Sequence, residues 1–200
     1  MKIVLIVEGR TEEVFLSALK RFLWERLAGE KPRIEANRQD GLIPTGQALK
    51  KLVDRHLRDG ADAVIAIPDV NPTFKDAADA KNKMRLWVGP EPRFHPHAAQ
   101  HDFEAWLLPY WDEIKKITGC SRSAPPGNPE FVNHQSPPSE RIREAFRTGA
   151  KTKNSRSYVK TRDAKRILDG KDLTVAANQC GELKALLNTI LDLCGAPQLS

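Results

Sequence analysis

Ile3-Val4-Leu5-Ile6-Val7 and Val64-Ile65-Ala66-Ile67 are unbroken apolar runs of five and four residues. A strand with one wet face alternates apolar and polar side chains. A run with no polar position needs cover on both faces, as a parallel sheet between two helical layers provides. Each run stops at an acid. Glu8 closes the first, ahead of Gly9, Arg10, Thr11 and Glu12, and Pro68-Asp69-Val70-Asn71 closes the second. A third stretch, His101-Asp102-Phe103-Glu104-Ala105-Trp106, sets two carboxylates just before apolar residues. Working groups of open α/β sheets gather beyond the carboxyl ends of the strands, so acids distant in sequence are expected at one edge. Carboxylates sharing a site repel one another unless a cation sits between them, and Mg2+, with Mn2+ as a substitute, is the usual partner of such oxygens. The pattern points to metal-dependent phosphoryl transfer.

Helical spacing fills the intervals between the runs. Phe15, Leu19, Phe22, Leu23 and Leu27 recur every three or four residues, predicting a helix capped by Thr11 and running to about Ala28. Residues 33–37 suit a short strand, a helix follows from Thr45 or Gly46 to Leu57, and Ala63 to Ile67 form the next strand. A polar, exposed helix is expected over 73–87, a strand over 93–98, and an irregular helix from Phe103 to Ile117. This order argues for an α/β, mostly parallel sheet flanked by helices, with right-handed crossovers. Pro, Gly, Ser and Asn dominate from Cys120 to Pro138, which reads as a loop. Ser139 to Arg147 and Ala176 to Cys194 look helical. The expected division is an α/β core at 1–118, a flexible loop at 119–138, and a basic helical extension at 139–200 packed on the core as a cap.

The net charge of +6 is unevenly spread. Between Arg141 and Lys171 there are eleven basic residues against three acidic ones, so the remainder of the chain is slightly acidic. An acidic site beside a basic track suits nucleic acid, with Arg141, Lys160, Arg162 and Lys165 as candidate backbone contacts. The competing reading is a solvated basic surface. Cys120, Cys180 and Cys194 form no C-x-x-C pair and read as reduced thiols, which suggests the cytoplasm. No apolar stretch approaches the roughly 20 residues of a membrane span. No P-loop, G-x-G-x-x-G or nucleophile elbow is present. His95, His97 and His101 lack an H-E-x-x-H or cysteine partner, so zinc is not expected.

Among the acids, Glu8 is the hardest to explain as mere solvation, because it terminates a buried strand. Glu12 and Glu13 fall in the first turn of a helix, where the dipole favours acids in any case. Asp69 ends its strand between Pro68 and Pro72, with Asn71 offering a neutral oxygen, although Asp-x-Asn also suits an ordinary Asx turn. Glu104 is a candidate ligand or orienting carboxylate, its rival reading being a helix-start acid beside Asp102. The candidate set is thus Glu8, Asp69 and Glu104 for catalysis, and Glu8, Glu12, Asp69, Asn71 and Glu104 for metal.

Glu8-Gly9-x-Thr11-Glu12 after an apolar strand, followed by an Asp-containing strand end, resembles the Toprim fold of topoisomerases, primases and OLD-type nucleases. Later blocks narrow the resemblance. Phe94-x-Pro96 leading to His101-Asp102-Phe103-Glu104-Ala105-Trp106-Leu107, then Pro138-Ser139-x-Arg141, Tyr158-x-Lys160 and a Cys180 helix, look like a small bacterial Toprim family. That family includes the AriB effector nuclease of an anti-phage system and is related to RloB-type proteins. The resemblance implies a Rossmann-like core and a Mg2+-dependent nuclease, with Glu8 as metal ligand and base, Glu12 assisting, Asp69 as the first acid of Asp-x-Asp, Glu104 near the metal, and Lys160 on a phosphate. Asn71 stands where the wider pattern has a second aspartate, and Asp102 where the block usually has glutamate. The implied substrate is DNA or RNA, with a partner ATPase and a homodimer among the expected associations. The alternative reading is a weak or inactive nucleic-acid-binding subunit beside that ATPase.

Overall fold

The two apolar runs form the centre of a four-stranded, all-parallel sheet of order β2-β1-β3-β4. The computed structural model describes residues 1–131, 136–149 and 157–200. Its strands are β1 (Lys2–Val7), β2 (Arg33–Arg38), β3 (Ala63–Ile67) and β4 (Phe94–Pro96), interleaved with α1 (Arg10–Arg26), α2 (Gly46–Arg58) and α3 (Ala77–Val88). Then come α4 (Trp111–Thr118), α5 (Pro138–Gly149), α6 (Lys160–Leu168), α7 (Leu173–Ala177) and α8 (Gly181–Leu193). The chain has a Toprim-like α/β fold.

Period-two alternation explains why both central strands are apolar throughout. Ile3, Leu5, Val7, Ala63, Ile65 and Ile67 enter one core with α1 and the C-terminal helices. Val4, Ile6, Val64 and Ala66 enter the other with Leu49 and Val53 of α2 and Ala80 and Met84 of α3. The C-terminal helices therefore cover one face of the sheet as a cap. All three cysteines are free. Among the described residues no helix is long and apolar enough to cross a membrane.

Several local expectations need correction. Helix α1 already includes Arg10, so Thr11 lies inside its first turn, buried, and does not cap it. The helix expected over 73–87 starts only at Ala77, after an Asp76 cap whose carboxylate accepts from Asp79 N at 2.8 Å, and it buries Ala77, Ala80, Met84 and Val88. The stretch from Phe103 is not one helix. Two 3-10 turns, Phe103–Trp106 and Leu108–Tyr110, precede α4. Pro109 has no N–H to offer Ala105, as an unbroken helix requires, and the Ala105 carbonyl is met instead by Cys180 Sγ at 3.7 Å. The loop expected at 119–138 contains a 3-10 turn, Pro129–Phe131, whose Glu130 is buried.

Gly149 ends α5 hard against another backbone. A Cβ there would overlap the Thr118 carbonyl oxygen and lie 2.8 Å from its carbon and 3.0 Å from Cys120 N. Gly149→Ala is expected to lower stability by about 2 kcal/mol, within the range for overpacking. A lower urea midpoint at unchanged slope would show it. Gly29, with nothing within 4 Å of such a Cβ, is the control.

Candidate active site

Strand β1 pairs with β2 on one side and β3 on the other, so successive connections leave it in opposite directions. That reversal falls at the carboxyl ends of β1 and β3, the kind of position where open α/β sheets bind their ligands. Val7 is in register with Ile67. Glu8 therefore follows the end of β1 and Asp69 the end of β3, at the same edge of the sheet. The exit of β1 is fixed by Gln39 N donating to Val7 O at 3.0 Å and Gly41 N to Glu8 O at 3.1 Å.

Beyond β4 the chain stays alongside the Asp69 loop. Asp69 bridges Ala99, Val70 N donates to Ala99 O, and Asn71 N donates to His101 O. His101 then takes a left-handed conformation, φ 69°, that β-carbon-bearing residues adopt sparingly. The reversal brings Phe103 N to Asp69 Oδ1 at 2.9 Å. This bond seats the 3-10 turn that carries Glu104 directly on the end of β3.

Glu104 is fully buried. Lys160 Nζ lies 3.2 Å from its Oε1 and 3.3 Å from its Oε2, and Tyr158 OH donates to Oε1 at 3.2 Å. Asp102 is nearly buried, and its Oδ2 accepts from Ser139 N at 3.2 Å. Burial raises the Asp102 carboxyl above its ordinary range; burial and then the neighbouring Asp102 charge do the same for Glu104. Desolvation pulls the Lys160 ammonium down, but Glu104, Asp69 and Asp102 together leave it raised. One ammonium thus feels three carboxylates from two loops. Burial, reinforced by the Glu104 charge, keeps the Tyr158 phenol protonated and a donor.

The other candidates are less engaged. Asn71 is exposed. The side chain of Glu12 lies outside the described structure, as do Lys151, Lys153 and Arg156 of the basic segment. Arg141 Nε donates to Ser136 O at 3.2 Å. Arg162 turns its Nη2 to the buried Asp163, 2.7 Å away, and Asp163 also accepts from Val159 N at 2.9 Å, closing the first turn of α6. Lys165 is exposed. Among the described residues, no group of three or more His, Cys, Asp or Glu is gathered tightly enough to hold a metal ion. Sequence reasoning left Asp102, Ser139 and Tyr158 out of the site. Tyr158-x-Lys160 was the available signal, since alternate residues of an extended segment share a side.

A family profile described as "Domain of unknown function (DUF4276)" matches residues 7–191. The chain belongs to this family. The match takes in both strand-end acids, the Glu104 turn and Lys160, so the whole site lies within the DUF4276 domain. No curated protein matches the chain. Among solved structures it is similar to the C-terminal region of the Burkholderia pseudomallei OLD protein, with TM-score 0.53 and 15% identity over 96% of this chain and 98% of that one. At that identity the likeness concerns the fold, here along almost its full length.

Proposed function

We propose that this DUF4276 protein is a Mg2+-dependent nuclease, with Glu8, Asp69 and Glu104 as its acidic centre. The observation that carries the reading is Lys160, whose ammonium contacts buried Glu104 and is held charged also by Asp69 and Asp102. Three carboxylates and one ammonium meet at a topological switch point, where phosphate-bearing ligands commonly dock. The all-oxygen donor set fits a hard divalent cation. Mg2+ typically takes one or two carboxylates and completes its shell with waters and substrate phosphates, so a closed protein cage is not required. Glu8, Asp69 and Glu104, with Glu12 and Asn71 at the margin, are the residues that would hold it. When bound, Mg2+ polarises a phosphate and acidifies an attacking water. Lys160, steadied by Glu104, offers its remaining N–H groups to a phosphate oxygen, and Arg141 and Lys165 extend the contact along the backbone. An anti-phage effector role rests on the motif resemblance and belongs to the same proposal.

Glu8→Gln should reduce Mg2+-dependent cleavage of DNA or RNA at least about a hundredfold and leave the thermal midpoint unchanged. Unaltered cleavage would sink the reading. The exposed Asn71, in place of an acid, and an ammonium already seated on Glu104 favour a second one, a nucleic-acid-binding subunit that works beside a partner ATPase. Steeply salt-dependent binding without hydrolysis in either Mg2+ or Mn2+ selects it.

A further inference from the structure

A cleft of about 220 Å³ lies at the opposite end of the sheet from the acids, between the last turns of α1 and the start of β2. Its floor is Leu23 and Ile34, and Trp24, Lys20, Lys31 and Arg33 complete the wall. Trp24 is 63% exposed, whereas Trp106 is 2% and Trp111 7% exposed. Three cations line this cleft and no acid does. Other clefts differ: one sets Lys51, Arg58 and Arg93 against Asp54 and Glu91, another Arg85 against Glu91. Lys31 Nζ touches the Leu27 carbonyl at the end of α1, and Arg33 Nε pairs with Glu35 at 2.6 Å. Lys20 is exposed, one turn before Trp24 on the same stripe of α1.

A buried core gains nothing from an indole left in water, and three cations gather beside this one, of which Arg33 is paired with Glu35. An indole face with cations around it matches a nucleobase on its phosphate backbone, since base–aromatic stacking tolerates any base while the cations track the phosphates. The geometry points to this cleft as a binding site for single-stranded nucleic acid, with Trp24 stacking one unpaired base and Lys20, Lys31 and Arg33 holding the adjoining phosphates. Paired bases present no free face, so the site selects unpaired strand. A lipid surface would require a broader apolar face than one indole. The inference deepens the nuclease reading by naming its substrate class. Arg10, at the start of α1, and Trp24 are about 21 Å apart at 1.5 Å per residue. A strand engaging both ends therefore spans roughly six nucleotides at the ~3.4 Å spacing of stacked bases.

The test uses the full-length chain in divalent-free buffer, titrated with 12-nucleotide oligothymidylate and oligouridylate. Tryptophan emission should be quenched, and Trp24→Ala should lose the quench and bind about tenfold more weakly. Trp24→Phe should keep most of the affinity. A 12-base-pair duplex should bind without quenching. Wild-type affinity in Trp24→Ala overturns the inference, as does equal quenching by duplex. Quenching by phosphatidylserine vesicles but by neither oligonucleotide also overturns it, in favour of a membrane surface. These outcomes are separable from the catalytic test. Unaltered cleavage by Glu8→Gln with an intact Trp24 quench removes the nuclease alone. The reverse pair of results removes the cleft alone.

Discussion

Asparagine at position 69 is expected to cut Mg2+-dependent cleavage about a thousandfold, corresponding to roughly 4 kcal/mol of transition-state stabilisation, while leaving the fold intact. The reason lies in the two tasks of this carboxylate. Asp69 Oδ1 accepts from Phe103 N at 2.9 Å, which seats the Glu104 turn on β3. An amide oxygen can accept the same bond, so Asp69→Asn preserves the seat and removes only the charge. Repulsion among Asp69, Asp102 and Glu104 falls, as does their shared hold on Lys160, and the thermal midpoint should stay within a degree or two. Asp69→Ala separates the tasks. It strands the Phe103 amide as well, at an added cost of about 1–3 kcal/mol for an unmade buried bond. Single-turnover cleavage with thermal melts of both variants makes the comparison. Cleavage by Asp69→Asn within tenfold of the parent would remove Asp69 from the chemistry, whatever its role in the loop.

The parts of this site legible in sequence are those fixed by one strand at a time. A buried strand of five apolar residues must end where its first acid appears, so Glu8 and Asp69 could be set at a sheet edge without coordinates. Their place at the same edge then follows from parallel pairing, Val7 opposite Ile67. The illegible parts depend on contacts across the chain. Ser139 N reaches Asp102 over 37 residues and Tyr158 reaches Glu104 over 54. No periodicity encodes such pairs. Helix α6 falls within the expected helical extension, but its bounds are illegible for a related reason. Its buried Asp163, closing the first turn while answering Arg162 and Arg166, looks from sequence like one more acid in a solvated basic segment. Local propensity likewise overextends Phe103 to Ile117, since the break at Pro109 frees an Ala105 carbonyl that Cys180, 75 residues on, meets.

The same ion pair that supports the catalytic reading also predicts a large and lopsided stability effect. Glu104 is fully buried, whereas the Lys160 side chain is 44% exposed. Removing the carboxylate leaves an ammonium that water can reach, so Glu104→Gln should cost less than about 1 kcal/mol. Removing the ammonium leaves a buried charge beside Asp102, answered by neutral donors such as the Tyr158 hydroxyl. Lys160→Met should therefore destabilise the fold by about 3 kcal/mol at pH 8. The pH dependence has a definite sign. The Glu104 carboxyl already stands above its reference value of 4.5 through burial and the Asp102 charge, and losing Lys160 raises it further. Above pH 4.5 the folded variant then binds more protons than the unfolded chain, so its stability falls as pH rises, by linkage. The deficit should be small near pH 4.5 and grow steadily toward neutrality. Urea denaturation of parent and variant at pH 5 and pH 8 measures it. Adding Glu104→Gln to Lys160→Met should recover most of the loss, a coupling that a double-mutant cycle reads directly. A deficit equal at both pH values, or one that the second substitution fails to relieve, would mean that Lys160 stabilises the protein through its packing and not through the charge it places beside Glu104.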